Sequence, residues 1–168
     1  RSFFYPSVSA AWVVSDMMNK MDKPLPEWFT FAKARVSFAQ VGNDMDAYQL
    51  YNTYSIGSDP EGNTTVNTKG TLYDENVRSE LISSWEAGLE VKFFNNRLGL
   101  DLAWYKSNAR RQLLNLPMDP LSGYSNKKIN AGDIQNTGIE LMLNARPIET
   151  AGGFTWDLMV NFSKNSNK

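Results

Sequence analysis

The chain has 168 residues, a formal net charge of −1, 42% hydrophobic and 21% charged residues, the proportions of a folded protein rather than a disordered tail or a fibre. It holds neither Cys nor His, which excludes disulfides, thiol nucleophiles, Cys/His zinc sites and imidazole catalysis. The balanced charge lacks the basic excess of a nucleic-acid binder. No catalytic residue, metal site or cofactor is therefore expected. No apolar run is long enough for a transmembrane helix, but a membrane barrel, whose strands are only half apolar, is compatible with these numbers. The opening Arg1-Ser2-Phe3-Phe4 is not a basic start followed by an apolar stretch, so any signal peptide is expected outside this sequence.

Taken in chain order, the periodicity is two. Val8, Ala10, Trp12 and Val14 alternate with Ser7, Ser9, Ala11 and Val13, and predict a first strand. Residues 17–28 carry Pro24 and Pro26 and read as a connection. Ala32, Ala34, Val36 and Phe38 then alternate with Lys33, Arg35, Ser37 and Ala39. A very long connection over 41–81 follows, in which 48–56 is either a further strand or a strand extension within a loop. Over 84–94, Trp85, Ala87, Leu89, Val91 and Phe93 fall on one side, against Ser84, Glu86, Gly88, Glu90 and Lys92. Successive strand side chains point to opposite faces, so this is a ribbon with one apolar and one polar face. Asn95-Asn96 supplies a tight turn, because Asn tolerates positive φ. Leu98, Leu100, Leu102 and Trp104 then oppose Gly99, Asp101, Ala103 and Tyr105, completing a long hairpin.

After a second long connection over 115–130, Ile139, Leu141, Leu143 and Ala145 alternate with Gly138, Glu140, Met142 and Asn144. The connection at 147–153 contains Pro147 and a Gly pair. The return strand sets Phe154, Trp156, Leu158, Val160 and Phe162 against Thr155, Asp157, Met159, Asn161 and Ser163. Long connections alternate with short ones, as in up-and-down membrane barrels with short periplasmic turns and long extracellular loops.

A soluble β-sandwich uses the same alternation, and a soluble all-β module that holds carbohydrate is the alternative reading. Two features favour the membrane. The C-terminal strands alternate for about nine residues or more, enough to cross a bilayer when tilted, whereas soluble strands run to about five or six. Trp85, Trp104, Tyr105, Phe154, Trp156 and Phe162 lie near strand ends, as interfacial girdles do. On this reading Leu89, Val91, Leu100, Leu141, Leu158 and Val160 face lipid. Glu86, Glu90, Lys92, Asp101, Glu140 and Asp157 face the lumen, with Asn144, Asn161, Lys33 and Arg35 beside them. Glu86 and Glu90 stand roughly 13 Å apart along one strand face, too far for a glycosidase acid/base pair. Tyr48, Tyr51 and Tyr54 cluster within the long loop. They are either a surface that stacks on a sugar or covers a peptide, or an ordinary loop mini-core.

The strands carry a family resemblance. Phe4-Tyr5-Pro6-Ser7 with Trp12, Lys33-Ala34-Arg35-Val36-Ser37-Phe38 ending at Gly42-Asn43, Glu86-x-Gly88 with Phe93-Phe94-Asn95-Asn96-Arg97-Leu98, and Asn130-Ala131-Gly132 with Asn136-Thr137-Gly138-Ile139-Glu140 together resemble SusC-like TonB-dependent outer-membrane transporters of the Bacteroidetes. The resemblance implies an all-β fold, an antiparallel transmembrane β-barrel segment. About six or seven strands of a barrel of about 22 would lie in this sequence. It further implies a location in the outer membrane, among lipids and lipopolysaccharide. The other implications are import of oligosaccharides or peptides, a SusD-like surface lipoprotein as partner, a dimeric SusCD assembly, and energy from TonB acting on a plug domain absent from this sequence. The remaining barrel strands are expected to pair with these, since an open sheet edge in lipid costs several kcal/mol per unpaired group.

Overall fold

The computed structural model describes residues 3–23, 25–46 and 48–168. Among them the elements are β1 (Ser7–Val13), α1 (Val14–Lys20), β2 (Phe29–Asn43), β3 (Tyr54–Ser58), β4 (Thr64–Thr68), β5 (Thr71–Tyr73), β6 (Glu80–Phe93), β7 (Leu98–Arg110), β8 (Leu113–Pro117), a 3-10 turn (Pro120–Ser122), β9 (Asn126–Asn130), β10 (Asp133–Glu149) and β11 (Thr155–Asn167). Among the described residues no helix is long and apolar enough to cross a membrane, which says nothing about strands that do. The chain divides into two compact units.

The first unit comprises Arg1–Gln40, Ser83–Asn108 and Ile134–Lys168. Its strands belong to one sheet of order β1-β2-β6-β7-β10-β11. The β1/β2 and β10/β11 pairs are antiparallel, with Ala10 opposite Val36 and Leu141 opposite Phe162. β2, β6, β7, β10 and β11 run for 15, 14, 13, 17 and 13 residues, more than double the usual soluble strand of about five or six.

The sheet has almost no interior. Among the described residues, Ala32 and Val77 are the buried apolar side chains, and no large side chain is fully enclosed. Trp12, Trp85, Leu89, Trp104, Trp156, Leu158 and Phe162 are all exposed. A soluble sandwich buries one apolar face against another; this sheet has no second layer, so the carbohydrate-binding sandwich is not its fold.

The turns follow from residue chemistry. Phe94, Asn95 and Asn96 have φ of 53°, 54° and 66°. The two Asn residues accept that left-handed backbone readily, and Phe94 is carried with them. Residues 150–154 close the last hairpin, with Gly153 at φ 86° and Thr150 N–H donating to Phe154 O at 2.9 Å. Three boundaries differ from the sequence reading. Val14 begins α1 instead of ending β1, and α1 occupies part of the expected 17–28 connection. Asp16 in its first turn and Lys20 in its last complement the helix dipole. Pro147 lies inside β10, where the register shifts between Ala145 and Ile148. A bulge has no ladder bond for the missing N–H to break.

The second unit comprises Val41–Ile82 and Ala109–Asp133. It holds the β3-β4 hairpin and a sheet of order β5-β9-β8, with β5 parallel to β9 and β8 antiparallel to it. The expected long connections at 41–81 and 115–130 are therefore structured rather than plain loops. Within 48–56 the strand starts only at Tyr54 and turns back as a hairpin, with Ile56 opposite Val66.

Candidate functional site

The polar face of the first unit is built around Arg35. Its Nη1 and Nη2 donate to Asp101 Oδ2 and Oδ1 at 3.1 and 3.0 Å, a bidentate fork matching guanidinium to carboxylate. Its Nε lies 3.7 Å from Glu86 Oε1. β2 and β7 are not neighbours; β6 runs between them. Arg35 crosses β6 over Gly88, where a Cβ would lie 2.8 Å from Arg35 Cγ and closer still to the guanidinium. Gly88 is thus the gap through which the ion pair forms. Tyr105 covers Gly138 in the same manner, so Tyr105 sits on the polar face and not in an aromatic girdle.

Further along this face, Lys92 Nζ lies 3.1 Å from Glu90 Oε1 and 5.1 Å from the Phe31 ring centroid. Arg146 Nε donates to Asp157 Oδ1 at 2.7 Å. Glu140 borders a shallow groove with Arg35, Asp101 and Asn161. Glu86, Glu90, Lys92, Asp101 and Asp157 are thereby joined in ion pairs, while Glu140 has none among the described residues. The Arg35 and Arg146 ion pairs tie strands together across the polar face.

The opposite face is apolar. Leu141, Leu143 and Ala145 on β10 oppose Phe162, Val160 and Leu158 on β11. Leu89 and Val91 alternate with Glu90 and Lys92 on β6, and Leu100 precedes Asp101 on β7. Aromatic contacts bracket this band. Phe38 packs on Trp85 with ring centroids 4.6 Å apart, and Trp28 stacks on Phe93 at 5.9 Å and 14°. Trp85 and Phe93 share a strand face, so about 26 Å of strand separates them. Tilted by about 40°, that spans about 20 Å, close to the apolar band of about 25 Å of outer-membrane barrels.

In the second unit, Tyr48, Tyr51 and Tyr54 are 83%, 67% and 63% exposed, so they form no buried mini-core. The Tyr48 and Tyr51 rings lie 6.1 Å apart at 31°, and Tyr48 has φ 64°, an uncommon backbone for an aromatic residue. Asn52 fixes the segment: its Nδ2 donates to Tyr73 O at 3.1 Å, and its Oδ1 accepts from Tyr73 N–H at 2.9 Å. Sequence reasoning left two anchors of the structure without a role. Asn130 Oδ1 accepts from Arg78 N–H at 2.6 Å, while its Nδ2 donates to Arg78 O and Arg111 O at 2.8 Å each. Gly88 was the signal for the Arg35–Asp101 pair, since Gly within a strand often marks a close approach.

Single-layer strands of bilayer length, apolar on one face and ion-paired on the other, define a wall segment of an outer-membrane β-barrel. The chain belongs to the TonB dependent receptor-like, beta-barrel family, whose sequence profile matches residues 1–168. It is SusC-like: TonB-dependent receptor SusC of Bacteroides thetaiotaomicron is 34% identical over 175 residues, covering 98% of this chain and 17% of that protein. TonB-dependent receptor P26 of Formosa agariphila is 31% identical over 176 residues, again 98% and 17%. Among solved structures, the RagAB peptide importer in its closed-closed state aligns with a TM-score of 0.81 at 23% identity, over 99% of this chain and 18% of that one. The siderophore receptor PirA from Pseudomonas aeruginosa aligns at 0.51 and 18% identity, over 96% and 28%. These two likenesses concern the fold. The chain spans about a sixth of the curated relatives' length. The family resides in the bacterial outer membrane and comprises transporters, not enzymes.

Proposed function

We propose that this chain is part of the barrel wall of a TonB-dependent active importer of oligosaccharides or peptides that works with a SusD-like surface lipoprotein. The observation that carries the proposal is the segregation of the sheet's two faces. Leu89, Val91, Leu100, Leu141, Leu158 and Val160 meet lipid; Glu86, Glu90, Lys92, Asp101, Glu140 and Asp157 line the lumen. Energy arrives through TonB acting on a plug, and two such importers assemble as a dimeric SusCD complex. Lipids and lipopolysaccharide surround the wall, and further strands of the transporter pair with the exposed edges of β1 and β11. Such pairing removes the unpaired backbone groups that lipid cannot solvate. The glycan reading rests on the resemblance to SusC-like transporters; the peptide importer among the structural neighbours shares the fold and leaves peptides in the substrate class.

In this reading residues 41–81 and 115–130 face outside, and Tyr48, Tyr51 and Tyr54 contact the nutrient. Their exposed rings suit stacking on a sugar or covering a peptide. Deleting residues 48–54 from the complete transporter is expected to weaken nutrient capture while heat-modifiable gel migration shows an intact barrel. Unchanged capture and uptake would remove the tyrosines from the site.

A further inference from the structure

The apolar face of the six-stranded sheet carries charge at one end only. By parity its charged strand positions are Lys106 and Arg110 on β7, Asp133 on β10 and Lys164 on β11, of which Arg110 and Asp133 pair with each other at 3.7 Å. The assignments of the two lysines follow from contacts. Tyr105, next to Lys106, covers Gly138 on the polar face, which turns Lys106 the other way. Lys164 lies opposite Ile139, one step along the face from Leu141 opposite Phe162.

Each lysine follows an aromatic residue on its own face: Trp104 before Lys106 and Phe162 before Lys164, an advance of about 7 Å along the strand. β7 and β11 flank β10, so the two strands stand about 10 Å apart. Neither lysine has an ion-pair partner among the described residues. On β10 between them the face turns from apolar to uncharged polar at Thr137 and Gln135. Lys106 sits toward the end of β7 that leads to the 115–130 connection, and Lys164 at the end of β11 away from the tight turn at 150–154.

We propose that Lys106 and Lys164 form a site for the phosphate groups of the outer-leaflet glycolipid, lipopolysaccharide. The inference rests on the wall reading above and gives its lipid partner a place. An aromatic residue at the edge of the hydrocarbon followed by an ammonium one step beyond matches a lipid whose acyl chains end where its phosphates begin. Thr137 and Gln135 add neutral hydrogen-bonding groups for the sugar between the phosphates.

The test uses the complete purified transporter in phosphatidylethanolamine nanodiscs, titrated with short-chain bis-phosphorylated lipopolysaccharide and with the same glycolipid after enzymatic dephosphorylation. Wild type is expected to bind the phosphorylated form about tenfold more tightly than the K106Q/K164Q double variant. The dephosphorylated form should bind both equally, Lys33→Gln should bind like wild type, and millimolar inorganic phosphate should not compete. Equal affinity of wild type and double variant for the phosphorylated glycolipid overturns the proposal, and full competition by inorganic phosphate replaces the lipid with a free-anion site. Heat-modifiable migration and nutrient uptake, measured on the same preparations, report on the wall reading separately. Insertion and uptake with no lysine effect would sink the lipid site alone; failure to insert would sink both.

Discussion

The two units are stabilised by different means. In the first, five strands of 13 to 17 residues present large apolar side chains that nothing in the unit covers. In the second, the strands run for three to five residues, Val77 between β5 and β6 is the buried apolar side chain among the described residues, and polar clamps tie the backbone. Asn52 grips both backbone groups of Tyr73, Asn130 bridges Arg78 and Arg111, and Lys127 pairs with Asp74 at 3.1 Å. The wall is specified by a repeating pattern that solvent sorts to two sides. The second unit is specified by single residues at single places, so each unit should fail under a different perturbation.

The largest effect is expected in the wall. Leu141→Arg, at mid-strand on the apolar face, should cost about 2–4 kcal/mol of folding stability in bilayers, while Met142→Arg next to it should cost far less. Equal losses in a denaturant titration of the complete transporter would contradict the assigned faces.

Asn130→Ala comes next. It removes one acceptor and two donor contacts to backbone, and should cost about 1–3 kcal/mol. The loss should appear as faster hydrogen exchange at amides of β8 and β9, with β10 and β11 protected as before. Uniform acceleration would merge the two units into one cooperative body.

Arg35→Ala should be milder, about 1 kcal/mol or less, because the ion pair is half exposed. Gly88→Ala is its complement, since the added methyl must push Arg35 aside. Combining the two should cost no more than the larger single change; strict additivity in a double-mutant cycle would separate Gly88 from the pair.

The smallest effect is that of acid. The side-chain amide of Asn63 and backbone N–H donors hold the Asp59 carboxyl below the usual range, and the backbone of Asn76 with Lys127 does the same for Asp74. A carboxyl lowered in the folded state stabilises above its ordinary pKa, and that stability is lost as pH falls through the lowered value. The second unit should therefore loosen only below the ordinary carboxylate range, seen as faster exchange at Asn63 and Asn76. Loosening confined to neutral pH would contradict the two anchors.

The wall was legible in the sequence for a physical reason. A period-two pattern is repeated at every step, so Leu89 against Glu90 and Leu158 against Asp157 carry the same message many times over. The second unit was not legible, because its order rests on Asn52 and Asn130, whose side chains look like loop residues until their backbone partners are known. Pro147 misled for the opposite reason: its turn signal is real in isolation, and a bulge absorbs it. The face that Lys106 and Lys164 occupy was readable by parity alone, since they continue the Trp104 and Phe162 rows.

The most direct measurement is labelling from within the bilayer. Single cysteines at 89, 90, 157 and 158 of the complete transporter, spin-labelled in vesicles, report access to oxygen in lipid against a polar reagent in water. Labels replacing Leu89 and Leu158 should be reached from hydrocarbon, and those replacing Glu90 and Asp157 from water. The reverse pattern, or equal exposure of all four to water, would contradict a wall with lipid on its apolar side.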